Sequence, residues 1–231
     1  ILKYRLSFKN YSLHSKIILV TTPVLLVGGA IGYFVFEQNY TLQGNDIGEQ
    51  ILKSFFASTT MRTAGFNTID YASMSPSASL LSDVLMMIGG SPGSTAGGMK
   101  ITTITLVFLS MVSMLRGQSD TVIGKRRLST MLIKQAAVII LVYAVYILAG
   151  TMLICHIEEL PMSDVLFEVT SAVCTVGVTT GITPHLCALS HIILIILMYG
   201  GRIGGFTLML ILGKQNKQPP LRRPKENILI G

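Results

Sequence analysis

Charge is scarce in this chain. Only 13% of its 231 residues are Asp, Glu, Lys or Arg, against 50% hydrophobic residues and a mean hydropathy of +0.62. That excludes an ordinary water-facing surface and gives the composition of a membrane protein. Cysteine is scarce too: Cys155, Cys174 and Cys187 are an odd number at no metal-ligand spacing, so they read as packing residues, with a Cys155 to Cys187 bridge near the outer surface as the alternative. The four histidines are scattered, and His191, inside an apolar run, reads as a packed, hydrogen-bonded residue rather than a proton carrier. No signal peptide is visible in the first apolar run either, because residues 17–36 are too long for its apolar core and no small-residue cleavage site follows them.

Long hydrophobic runs are what the chain does have. Residues 17–36 and 136–154 carry no charge over lengths close to the roughly 20 residues of a bilayer-spanning helix. Residues 186–212 carry one charge, Arg202, and residues 78–115 are interrupted in the middle. A net charge of +7 would fit nucleic acid, but its distribution points elsewhere. Fourteen of the eighteen basic residues fall within 1–16, 116–134 and 214–225, while nine of the eleven acids (Glu37, Asp46, Glu49, Asp70, Asp83, Glu158, Glu159, Asp164 and Glu168) occupy the alternate segments. By the positive-inside rule both termini and the central linker are cytoplasmic, and the acids form an outer mouth that concentrates cations.

Two stretches carry the chemistry. Thr63-Ala64-Gly65-Phe66 and Thr175-Val176-Gly177-Val178 share the pattern Thr-x-Gly-hydrophobic, 112 positions apart. An extended Thr-x-Gly segment turns consecutive carbonyl oxygens to one side, and rings of such carbonyls replace the water shell of a potassium ion in a selectivity filter. Alone, the tripeptide reads as an ordinary loop; its context changes that. A segment of helical character precedes each copy, at 47–60 and 161–174. At about 1.5 Å per residue each covers about 20 Å, less than the roughly 30 Å of a bilayer core, so each must enter and return. With Asn45 and Ser163 as N-caps at the polar surface, the C-terminal ends point inward and present the negative end of the helix dipole to a cation.

The interrupted run contains Gly89-Gly90-Ser91-Pro92-Gly93-Ser94-Thr95-Ala96-Gly97-Gly98, through which no helix survives, and a helix restarts at Met99-Lys100. Non-helical backbone at bilayer depth is tolerated only in a cavity or buried in protein. The functional reading is a mobile plug across a water-filled path; the plain reading is a kinked helix padded with small residues. A phosphate-binding loop is excluded by the missing Gly-Lys-Ser/Thr ending. Met87-Ile88-Gly89-Gly90 aligns with Met198-Tyr199-Gly200-Gly201 at an offset of 111, so the chain reads as a parallel tandem repeat of helix, pore helix, filter and helix. Residues 17–115 form one unit and 130–213 the other, with basic cytoplasmic segments at 1–16, 116–129 and 214–231 and both filters facing outside. Arg202 lies at mid-span, where a charge costs at least about 3 kcal/mol unless it meets a partner or water. It reads as a barrier to passing cations or as a clamp on carbonyls released by its neighbouring glycines. Arg62 reads as a brace for the pore-helix end and filter backbone, and Lys100 as a gating or a snorkelling lysine.

Arg62-Thr63-Ala64-Gly65-Phe66-Asn67-Thr68-Ile69-Asp70, the run from Gly89 to Lys100 and Gly200-Gly201-Arg202-Ile203-Gly204 together resemble the Trk/Ktr/HKT superfamily of potassium transporters, the Ktr-type membrane subunit above all. The resemblance implies an all-α integral membrane fold, with two units here of an expected four around one central pore. They match the third and fourth, hence the C-terminal half of a longer chain. It implies potassium uptake in the plasma membrane, potassium being held by the backbone carbonyls of Thr63, Ala64, Gly65, Phe66, Thr175, Val176, Gly177 and Val178. Sodium would serve as coupling or activating ion. No covalently bound cofactor and no enzymatic activity are implied. By the same match the residues from Gly89 through Gly98, with Lys100 and Arg202, belong to gating. The implied partners are membrane lipid, a second copy in a homodimer and a cytosolic nucleotide-binding regulatory ring, with no nucleic acid. Two other readings stay open: a secondary transporter of a small solute bound between broken helices, and a membrane scaffold or receptor, which leaves the repeated filters unexplained.

Overall fold

The computed structural model describes residues 11–118, 120–123 and 126–203. The first ten residues, Gly204 of the third motif, the expected continuation of the last span to 212 and the basic tail at 214–231 lie outside the described residues.

Seven α-helices follow one another along them. Helix α1 (Leu13–Glu37) starts where the Ser12 hydroxyl accepts the Ser15 amide, and it passes through Pro23 unbroken. Helix α2 (Ile47–Thr60) has the bounds the sequence pattern predicts, but its cap is Asp46, whose carboxylate accepts the Gly48 amide. Asn45, the expected cap, instead accepts the Lys53 ammonium. Helix α3 (Pro76–Met87) is capped by Ser75 and opened by proline, whose fixed φ suits the first helical position. Helix α4 (Ile101–Leu115) resumes after the Gly-rich break. Helix α5 (Thr130–Glu158) is capped by Ser129. Helix α6 (Met162–Val173) starts directly after Pro161, so Ser163 is inside its first turn and does not cap it. Helix α7 (Ala188–Ile203) closes the described chain. The same order, long helix, short helix, Thr-x-Gly stretch, 3₁₀ turn (Tyr71–Ser73 or Thr183–His185), further helix, occurs twice. Between α4 and α5 the linker pairs strands β1 (Val122–Ile123) and β2 (Arg126–Arg127) antiparallel, with an Arg127 to Asp120 ion pair of 2.7 Å.

Only α1 and α5 are long and apolar enough to cross a bilayer singly among the described residues. At 1.5 Å per residue they measure about 37 and about 43 Å. Their outer faces are apolar and bare: Val24, Leu141 and Met152 are 63%, 64% and 73% exposed, as are Ile195 and Ile196 of α7 at 62% and 64%. Burial is concentrated in the short helices instead. In α6 every residue from Phe167 to Val173 is buried, and the core joins them to Tyr33, Ala57, Met61, Tyr71, Leu85 and Met86. An apolar exterior around a partly polar centre is the distribution lipid selects. Helix α2 lies on α1, where the Ser58 hydroxyl donates to the Leu26 carbonyl at 2.8 Å and a Cβ on Gly29 would strike Ser58. Gly29 makes this approach to α2, Gly32 faces Leu81 of α3, and Gly28 faces open space. All three cysteines are free, so no Cys155 to Cys187 bridge exists.

Candidate functional site

The site is built where the two short helices end. Past α2, Thr63 and Gly65 have φ of 71° and 78°; past α6, Thr175 and Gly177 have φ of 55° and 91°. Both copies thus place their Thr and Gly in the left-handed region and the residue between them outside it. Alternating handedness keeps successive carbonyls on one side, and glycine adopts it freely while threonine is held there at a strain of about 1–2 kcal/mol. A hydroxyl at each helix end holds the strained turn. Thr60 Oγ1 donates to the Phe66 carbonyl and accepts the Phe66 amide, both at 2.8 Å. Ser171 Oγ donates to the Val178 carbonyl at 2.6 Å and accepts the Gly177 amide at 3.2 Å. These two latches were not anticipated from sequence, although a hydroxyl residue three or four positions before each threonine was the visible signal.

The two turns meet. A Cβ on Gly65 would run into the Val176 carbonyl oxygen, so backbone faces backbone across the two halves. Behind them the buried Tyr71 ring packs against Phe167 of α6 at a tilt of 36°, ring centroids 5.8 Å apart. The turns differ in surroundings: Val178 is buried, whereas the Phe66 side chain is 67% exposed.

The broken segment between α3 and α4 is stitched at its neck. Gly89 N–H donates to the Met99 carbonyl at 2.8 Å, Met99 N–H to Met87 at 3.1 Å, and Ile101 N–H to Gly90 at 3.1 Å. Residues 91–98 stand beyond this neck and lie against the second turn, where a Cβ on Gly97 would strike Thr175 Oγ1. Four side chains from four places supply donors to the loop's carbonyls. Arg62 reaches Gly89 at 3.2 Å, Lys100 reaches Ala96 at 2.5 Å and Ser94 at 3.4 Å, Arg202 reaches Thr95 at 2.6 Å, and the Tyr143 hydroxyl reaches Gly98 at 3.2 Å. Backbone that has left a helix in a dry setting needs such partners.

Two sequence expectations, those for Arg62 and Arg202, are corrected here. Arg62 serves the broken loop rather than its own pore helix or turn. Lys100 donates to loop carbonyls and forms no ion pair among the described residues. Arg202 clamps a loop carbonyl 107 positions away rather than those of its neighbouring glycines; the Gly201 carbonyl is taken by Tyr143 at 3.2 Å. Arg202 also lines two cavities. One, of about 820 Å³, runs along Gly177, Val178, Glu168 and Thr179. The other, of about 490 Å³, is bounded by the loop, Lys100 and Tyr143.

The acids read as an outer mouth divide into two sets. Asp46, Glu49 and Asp70 are exposed, but Glu37, Asp83 and Glu168 are buried. Glu37 accepts the amide and hydroxyl of Ser75 at 2.9 and 2.7 Å and both donors of Thr41, fastening α1 to the cap of α3. Glu158 repeats this at the end of α5, accepting the Cys187 amide at 2.8 Å just before α7. A charge count could not separate an acid that faces water from one that faces amides.

The family model of TrkH, a cation transport protein, matches residues 12–221. The potassium/sodium uptake protein NtpJ of Enterococcus hirae is 36% identical over 230 residues, covering 96% of this chain and 51% of its own length. Ktr system potassium uptake protein B of Bacillus subtilis is 33% identical over 226 residues, 97% of this chain and 51% of its length. This chain spans about half the length of the curated relatives it matches. The crystal structure of the potassium transporter TrkH from Vibrio parahaemolyticus superposes with a TM-score of 0.67 at 19% identity, over 87% of this chain and 44% of that one, and shares its fold. With the match running from residue 12 to residue 221, the chain belongs to the TrkH family of cation transport proteins, a family of transporters and not of enzymes.

Proposed function

We propose that this chain forms two of four walls of a plasma-membrane pore for potassium uptake, with the Thr63 to Phe66 and Thr175 to Val178 carbonyls as its selectivity filter. The observation that carries the reading is the pair of left-handed Thr-x-Gly turns, one at each short-helix end, meeting at Gly65 and Val176. Uncharged carbonyls dehydrate a weakly hydrated cation without trapping it, and the C-terminal ends of α2 and α6 add negative potential at the same place. The filters face outside and both termini are cytoplasmic, in keeping with the basic segments.

Residues 91–98 close the path below the filter, and transport is channel-like once they move. Lys100 and Arg202 hold the loop through its carbonyls, and Arg202 adds a positive charge beside the path. A homodimer in lipid and a cytosolic nucleotide-binding ring that moves the loop complete the assembly. Sodium is the coupling or activating ion, in line with the potassium/sodium uptake named for the Enterococcus hirae relative.

Uptake of potassium, rubidium and sodium into vesicles tests this in the unmodified protein and in Gly177→Ser. At φ 91° a serine is strained by about 1–2 kcal/mol although its Cβ meets nothing within 4 Å. The filter should therefore lose about tenfold of its potassium to sodium preference while inserted protein stays constant, 1.4 kcal/mol being a factor of ten. An unchanged ratio in Gly177→Ser would show that these carbonyls do not select the ion.

A further inference from the structure

Glu168 is a charge that the filter geometry alone does not explain. It lies on α6, 6% exposed, and its carboxylate collects four hydrogen bonds from the segment that follows the second turn. Oε1 accepts the Thr179 hydroxyl in a very short bond, the Thr180 amide at 2.9 Å and the Thr180 hydroxyl at 3.2 Å; Oε2 accepts the Thr183 hydroxyl at 2.7 Å. No Lys, Arg or His lies within ion-pair distance of it among the described residues. The same carboxylate lines the cavity of about 820 Å³ together with Gly177 and Val178. Arg202 lines the same cavity but lies beyond ion-pair distance of Glu168, so the buried anion is not neutralised by direct contact and lowers the energy of a cation beside it.

The other half has no such group. The latch residues Thr60 and Ser171 are 111 positions apart, and the same offset carries Glu168 onto Ala57, a buried methyl. After the first turn, Phe66 is held by Thr60 alone, its side chain exposed. One turn is therefore fastened at both ends with a carboxylate behind it, and the other at one end with a methyl at the matching place.

We propose that Glu168 is a positioning and specificity-determining residue: its charge and its four bonds to Thr179, Thr180 and Thr183 fix the outer end of the second filter stretch and through it set the pore's affinity and preference for potassium. The proposal rests on the potassium-pore reading above. It does not touch the ion itself, so its effect is read through affinity and preference rather than through presence of the protein.

The test is potassium and sodium uptake, per inserted molecule, by the natural full-length protein and its Glu168→Gln, Thr183→Val and Ala57→Ser variants. Glu168→Gln keeps size and acceptor but removes the charge; it should raise the half-saturating potassium concentration at least threefold and lower the potassium to sodium ratio, with maximal flux changed less than twofold. Thr183→Val, which keeps the charge and frees one carboxylate oxygen, should shift both in the same direction by a smaller factor. Ala57→Ser, at the matching place in the first half, should leave both within twofold. If Glu168→Gln inserts normally and keeps both values, the inference fails and the pore reading stands. If Glu168→Gln does not insert, Thr183→Val carries the test, and unchanged values there overturn the inference. An unmodified protein without potassium preference removes the pore reading and this inference with it.

Discussion

Arg202 ends in a single short bond to the Thr95 carbonyl, and that contact gives its charge two physical effects at once. The bond holds the loop in place, and the guanidinium leaves a positive charge at a place lining both cavities. Removing it should act in one direction through both. Arg202→Ala is expected to raise maximal potassium flux per inserted molecule about tenfold, the equivalent of about 1.4 kcal/mol of barrier. Arg202→Lys keeps a charge and one donor and should stay close to the unmodified rate. Flux that falls in Ala, with insertion intact, would mean that Arg202 supports transport instead of restraining it. Sequence located this residue, because a lone arginine in an apolar run stands out, but its partner was out of reach: nothing in the local pattern ties residue 202 to residue 95.

At the level of elements, the helices were legible where composition changes sharply. The bounds 47–60 coincide with α2, and 161–174 differs from α6 by one residue at each end. The break after α3 was equally plain from its glycines. What was hidden is how the elements are fastened. Glu37 and Glu158 receive the amides at the starts of α3 and α7, tying the end of each long helix to the start of a later one. Of the two only Glu37 is buried, and there a hydrogen bond to a charged acceptor contributes about 1.5–3 kcal/mol, whereas an exposed ion pair contributes about 0–1 kcal/mol. Glu37→Ala should therefore lower the melting temperature of the detergent-solubilised protein clearly. Glu49→Ala, which removes only the exposed pair of 3.7 Å with Lys53, should leave it unchanged within error. Equal melting temperatures for Glu37→Ala and the unmodified protein would show that the fastening at Ser75 is not part of its stability.

Taken whole, the molecule wears its apolar residues outside and its strained backbone inside, which is what placement in lipid requires. Its three free cysteines report that placement directly. Cys187 is exposed just before α7 and Cys174 is buried between α6 and the second turn. A membrane-impermeant maleimide added to intact cells should label Cys187 and spare Cys174; labelling of Cys187 only after the membrane is opened would invert the orientation. The stitched neck of the broken loop has a mechanical consequence for this whole assembly. Because the chain enters and leaves residues 91–98 through the same paired rungs at Gly89, Gly90 and Met99, tugging on α3 or α4 draws both sides of the neck together rather than apart. Beyond the neck the loop is held at Thr95 by Arg202 on α7, at Gly98 by Tyr143 on α5, and at Ser94 and Ala96 by Lys100 at the start of α4. On the pore reading proposed above, a crosslink between α5 and α7, which grip the loop at two separate carbonyls, should lower potassium flux more than one between α3 and α4, whose neck is already paired.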